Sequence, residues 1–184
     1  TGVETDRGDR FYAGEIVSAV GREGADWFKN ICEATGIQTT PGTVDVGVRV
    51  EVRDEVMQFL NENLYEAKLV YRTKQYGDLV RTFCMNPNGY VVAENTDGIV
   101  TVNGHSFRDP ALHSKNTNFA LLVSNKFTEP FQEPLKYGKR IASFSNMLGG
   151  GVLVQRFGDL IKGRRTNERR LEKSFTRPTL EATP

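Results

Sequence analysis

Five valines at strict period two, Val44, Val46, Val48, Val50 and Val52, alternate with Asp45, Gly47, Arg49 and Glu51. Such alternation sends successive side chains to opposite faces of a strand, so the segment predicts a valine face that packs as core and a polar face bearing Asp45, Arg49 and Glu51. Asp54 then stands where a helix N-cap belongs, ahead of Val56, Phe59, Leu60 and Leu64 on one helical face. From Leu69 to Val102 the chain breaks into β-rich runs at 69–73, 79–85, 90–94 and 99–102. They are separated by Tyr76-Gly77-Asp78, Asn86-Pro87-Asn88-Gly89 and Asn95-Thr96-Asp97-Gly98. Connections this short join antiparallel neighbours, which predicts a meander, with a further strand at 119–127 after a polar loop. Tyr137, Ile141, Phe144 and Leu148 fall on one helical face that ends at Gly149-Gly150-Gly151, and Leu153, Phe157, Leu160 and Ile161 mark a second helix before Gly163. The expected class is α+β: an antiparallel, partly mixed sheet or open barrel with helices packed against it and a helical C-terminal third.

Nearer the start, EIVSAVGREG (Glu15–Gly24) reads as an apolar strand running into a glycine turn, and WFKNICEATG as the helix that follows. Strand, tight turn and helix bring backbone N–H groups to a phosphate or flavin, which makes Gly21, Arg22, Glu23 and Gly24 candidate cofactor contacts. The spacing is Ala19-x-Gly21-x-x-Gly24, without the first glycine of the full dinucleotide fingerprint. It matches a later strand of a flavoprotein, where nucleotide domain gives way to substrate domain, better than a complete pyrophosphate cradle. A nicotinamide finger with Asp45 as ribose acceptor fits less well, because that acid belongs at the end of a second strand and Asp45 opens one.

Charge alters little in this picture: 24 basic residues against 23 acidic give +1 over 184 residues, so any electrostatic function is local. Cys32 and Cys84 lie far apart without a CxxC pattern, and His105 and His113 are the two histidines, which argues against a metal site and fits a reducing cytoplasm. No apolar run approaches the ~20 residues that span a bilayer.

Arg49, Arg72 and Arg81 all fall in predicted strands, where a planar five-donor fork suits a substrate carboxylate; pairing with Glu51 or Glu94 is the competing use. Cys84 has Arg81 and Phe83 as visible neighbours, but in a strand Arg81 points away from it, so an inert buried thiol is expected. Asn86 sits in a turn, either capping it or reaching a substrate. Gln155, Arg156, Arg164 and Arg165 surround the triple glycine and its following helix, and from Lys162 to Arg177 seven basic residues face two acidic ones. No aromatic series interleaves the charges, which argues against a nucleic-acid surface there.

Longer phrases are more specific: VDVGVRVE, YRTK, RTFCMNPNGYVV, VNGHS, TNFALLV and LGGGVLVQRFGDLIKGRR. Together they resemble the bacterial NAD/FAD-utilising dehydrogenases. The resemblance implies a substrate-side domain at 25–184, with 1–24 as a terminal strand and turn abutting an FAD-binding domain of the same full-length chain. An opening at Thr1 and a close at Pro184 in an irregular polar stretch fit a piece of something longer. FAD, and NAD(P) with it, would serve the parent protein in hydride transfer to or from a small molecule, while this piece alone would be inactive and hold FAD weakly or not at all. The resemblance makes His105 the candidate proton donor and Arg49, Arg81, Asn86, Gln155 and Arg156 the candidate substrate contacts. Two other readings stay open: a self-contained nicotinamide module, and an interaction domain working through the basic tail.

Overall fold

The computed structural model describes residues 1–128, 130 and 133–182, the side chains of 181 and 182 excepted; Pro184, the expected end of the domain, lies outside them. The chain divides into two compact units, Thr1–Thr40 and Pro41–Pro184.

In the first unit, β1 (Gly2–Glu4) pairs antiparallel with β2 (Arg10–Tyr12). The connecting turn is closed by mutual backbone bonds between Thr5 and the Gly8–Asp9 end. Residues 15–20 form no strand, contrary to expectation. Their apolar character gives them the propensity, but a strand exists through pairing, and no described strand offers them a ladder. The turn at 21–24 leads into α1 (Ala25–Ala34). Gly36, at φ 73°, ends that helix as the left-handed residue of a C-terminal motif, with Ile37 N–H bonded to the Cys32 carbonyl at 2.8 Å.

The second unit is built on β3 (Thr43–Arg53), which the valine alternation locates to within a residue. Along its whole length β3 pairs antiparallel with β8 (Asn116–Lys126); β8 pairs in turn with β5 (Leu79–Asn86), and β5 with β4 (Val70–Arg72). β6 (Tyr90–Thr96) and β7 (Ile99–His105) form a separate hairpin, and β9 (Glu181–Ala182) adds parallel to β6. The expected meander is therefore split: the Asn86–Gly89 turn carries the chain from one sheet to the other instead of folding β6 back on β5. The β6–β7 turn is the two-residue kind, with Asp97 and Gly98 both left-handed at φ 53° and 76°, the geometry that matches the twist of a hairpin. The architecture is α+β, with two sheets in the second unit and, among the described residues, no closed barrel.

Helices follow the predicted positions but not the predicted faces. In α2 (Asp54–Asn63), Met57, Leu60 and Asn61 turn inward, while Val56 and Phe59 are 69% and 78% exposed. Asp54 is the first helical residue and caps nothing; its carboxylate accepts from Thr117 Oγ1, Asn61 Nδ2 and Asn88 N–H instead. α3 (Pro134–Gly149) starts with a proline and ends at left-handed Gly150. Asn146 docks it on the outer edge of β7 by bonding both N–H and C=O of Val100 at 2.8 Å, which closes part of that strand's open edge. Phe144 and Leu148 face outward. The second C-terminal helix is shorter than expected, α4 (Phe157–Ile161), and is followed by α5 (Glu168–Glu172).

Packing at the heart of the second unit is polar to an unusual degree. Among its described residues the buried apolar side chains are Ala67, Met85, Val91 and Ala120, whereas Thr82, Asn116, Thr117, Asn118, Asp159 and Thr166 are buried as well. The valine face of β3 is not the sealed core expected of it, since Val48 is 63% exposed and the other four valines are half-buried.

Candidate functional site

The polar face of the larger sheet is where two of the sequence candidates, Arg49 and Asn86, meet. Register places Arg49 opposite Ala120 and Glu51 opposite Asn118, while Asn86 lies opposite Asn118 from the other side. Directly paired residues share a face, so Arg49, Glu51, Asn86 and Asn118 share this one.

A bulge between Phe83 and Asn86 sharpens the arrangement. Cys84 there takes a left-handed φ of 47°, which is uncommon for a residue with a Cβ and needs surrounding structure to hold it. Turned out of the ladder, the Cys84 carbonyl accepts from Arg49 Nη1 at 3.3 Å and from Asn86 Nδ2 at 2.7 Å. Arg49 Nη1 also donates to Asn118 Oδ1 at 2.5 Å, and Nη2 to Asn103 Oδ1 at 3.2 Å. Asn103 in turn donates to Glu94 at 2.9 Å. Burial lowers the Arg49 pKa from its ordinary value; the nearby charges of Cys84, Glu94 and Glu51 act in the opposite direction. The sequence offered Cys84 no cation, yet the bulge sets Arg49 beside it.

Asn118 is fully buried and, among the described residues, its Nδ2 has no hydrogen-bond partner. Its orientation is fixed, because Arg49 is donor-only and requires the oxygen on its own side. Nε and one Nη2 hydrogen of Arg49 likewise have no acceptor among the described residues. The site thus holds surplus donors at a half-buried position, a polarity that suits an incoming oxygen of a carboxylate or carbonyl.

His105 pairs with Tyr90 across the hairpin and lies two residues from Asn103, hence on the same face of β7. Its ring stacks on Tyr90 at 6.0 Å and meets Phe107 edge-on at 4.7 Å.

The remaining candidates lie outside this cluster. Arg81 is on the polar face but is joined to Asp45 at 2.6 Å, and Ser124 bonds the same carboxylate. Gln155 bonds within its own loop, donating to the Arg164 carbonyl at 2.6 Å and accepting from Thr166 N–H at 3.0 Å. Arg156 borders a basic groove with Arg164, Arg169, Arg170 and Lys173. Gly21 to Gly24 belong to the first unit. Their turn bonds its own amides, Gly24 N–H to Val20 and Ala25 N–H to Arg22, and a Cβ on Gly24 would lie 2.4 Å from that of Val20. With no strand before it and the Gly24 amide occupied, this turn lacks the complete strand-turn-helix cradle of an FAD pyrophosphate.

Asn103, Gly104, Glu94 and Asn118 were not among the sequence candidates. Their signal was thin: an asparagine just ahead of the apolar FALLV run, and another in VNGHS.

The family model described as "FAD-dependent protein, C-terminal domain-like" matches residues 43–183, most of the chain. The chain belongs to this family. The match opens at the first residue of β3 and takes in every element of the second unit. A protein of Clostridium beijerinckii described as uncharacterized is 26% identical over 165 residues, which covers 81% of this chain and 31% of that protein. The chain spans about a third of that relative's length. Among the described residues no helix is long and apolar enough to cross a membrane, and no group of three potential metal ligands occurs.

Proposed function

We propose that the second unit is the substrate-side wall of a cytoplasmic FAD-dependent oxidoreductase, set against a flavin that is bound mainly by another domain of the full-length protein. In this reading Arg49 and Asn118 receive an oxygen of a small organic substrate, and His105 supplies a proton. One observation carries it: a fully buried amide without an acceptor beside a half-buried guanidinium with donors to spare. The flavin, when bound, supplies hydride chemistry; the residues here orient and polarise its partner. Cys84 adds no step of its own. Its bulge presents a carbonyl that aims Arg49.

Surface chemistry supports a covered position in the parent protein. Val48, Phe59, Phe144, Leu148 and Phe157 each expose more than half of their area, more large apolar surface than an isolated domain of this size commonly leaves bare. The remainder of a longer flavoprotein chain is the natural cover.

Two measurements test the reading. This chain alone should leave FAD fluorescence unquenched at micromolar concentrations, and tight binding would contradict a flavin held elsewhere. In the FAD-loaded full-length protein, Arg49→Lys should raise KM for the substrate and leave flavin content and spectrum unchanged. Loss of flavin from that variant would move Arg49 to the cofactor and refute the assignment.

A further inference from the structure

The loop and short helices after α3 are tied around one buried carboxylate. Asp159 is 1% exposed and receives Arg164 Nε at 2.6 Å on Oδ1 and Thr166 Oγ1 at 2.9 Å on Oδ2; Arg170 Nε lies 3.8 Å from Oδ1. Gln155 and the Arg156 N–H clamp the same loop through Arg164 and Thr166. Asp159 therefore holds Arg164 by its Nε and attracts Arg170 across 3.8 Å. Among the described residues no acceptor takes the Nη groups of Arg164 or the Nη2 of Arg170; Arg170 Nη1 bonds the Arg165 carbonyl.

Those groups line a groove of about 380 Å³ together with Arg156, Asn167, Arg169 and Lys173. The lining holds five cationic side chains and no acidic one. Its volume falls within the range of small-ligand sites. The Arg164 guanidinium, fixed from behind by the carboxylate, is arranged in advance for bidentate contact with phosphate oxygens, and Arg170 Nη2 adds a third donor, which removes part of the entropy cost of binding.

We propose that this groove binds a small phosphate-bearing molecule through its diphosphate or phosphate group. The site is separate from the Arg49 cluster and stands whether or not that cluster takes a substrate. A groove this short, without an aromatic platform in its lining, suits a compact anion better than a nucleic-acid strand.

The test is calorimetric titration of the 184-residue chain at low salt with inorganic pyrophosphate, ADP and a single-stranded oligonucleotide. Pyrophosphate and ADP should both bind, ADP showing whether a nucleoside adds to the phosphate contacts. Arg169→Ala and Lys173→Ala, both exposed positions, should each weaken binding by roughly tenfold with an unchanged melting temperature. Absence of binding by both phosphate compounds at about 1 mM would overturn the proposal. So would binding that ignores both substitutions, or saturation by the oligonucleotide alone.

Discussion

Gly104 and Asn118 approach so closely that a Cβ on the glycine would sit 2.1 Å from Asn118 Oδ1 and 2.4 Å from Arg49 Nη1. Backbone of the smaller sheet is thereby pressed onto the polar face of the larger one, and the contact leaves no room for a methyl group. Gly104→Ala should displace the Asn118 amide from Arg49 and cost about 1–3 kcal/mol, read as a lower urea midpoint. Gly47→Ala should cost more, because its Cβ would meet the Leu121 carbonyl at 1.9 Å and a strand backbone yields less than a side chain. Equal tolerance of the two changes would show that the sheets are not clamped at this point.

Asn118→Ala deletes the 2.5 Å acceptor of a half-buried guanidinium. Hydrogen bonds to charged groups contribute about 1.5–3 kcal/mol, so a loss of that order is expected by denaturant titration. Asn118→Asp makes the opposite test. A carboxylate in place of the amide would satisfy Arg49 and remove the unpaired Nδ2, so affinity for small carboxylates should fall even where stability is retained. Unchanged affinity would argue that this amide faces no ligand.

How far these contacts were legible in the sequence differs from residue to residue. Valine alternation located β3 and put Arg49 on its polar face, since period two is a local property. Which face would be packed was not local: it depends on β6 and β7 arriving through a turn far along the chain, and on apolar surface that this chain leaves open. In α3 the 3.6-residue period was right and its direction was not, because the helix approaches through Gly138, whose Cβ would lie 2.9 Å from Val44 Cγ2. Small residues let backbones come close but carry no hydrophobic signal. Asn118 reads as loop in the sequence because an asparagine weakens a strand pattern. Its partner Arg49 is 69 residues away, and only register brings them together. Nothing in a cysteine announces the left-handed bulge at Cys84.

Acid should loosen the loop around Asp159. Burial pushes this carboxyl's pKa up, but hydrogen bonds from Arg164 and Thr166 and the charges of Arg164 and Arg170 outweigh it, leaving the pKa below the ordinary value. A group depressed in the folded state stabilises fully above its unfolded pKa, about 3.9 for Asp, and that contribution is lost as pH falls further, through the folded value. Amide exchange across residues 156–170 should therefore be flat from about pH 8 to pH 5, after correction for intrinsic rates, and show lost protection below about pH 4. Asp159→Asn should show the loosened pattern already at neutral pH. An onset near pH 6 would point to a different group.

The C-terminal segment is held by Glu51, whose carboxylate accepts from Thr179 N–H at 3.2 and 3.1 Å, from the Thr179 hydroxyl, and from Asn116 Nδ2 at 3.2 Å. The Thr179 hydroxyl also accepts from Val91 N–H at 3.1 Å, and Asn116 reaches the Arg177 carbonyl at 2.8 Å. One threonine thus links β3 to β6 and positions the chain to add as β9. Thr179→Val removes the hydroxyl and retains the backbone donor, so it should cost about 1 kcal/mol and speed amide exchange at Val91. Glu51→Ala leaves Thr179 N–H and Asn116 Nδ2 without their acceptor at once; it should cost about 2 kcal/mol or more and expose residues 177–182 to proteolysis. Should the Glu51 variant keep this segment protected while Thr179→Val releases it, the strap would depend on β6 and not on the carboxylate.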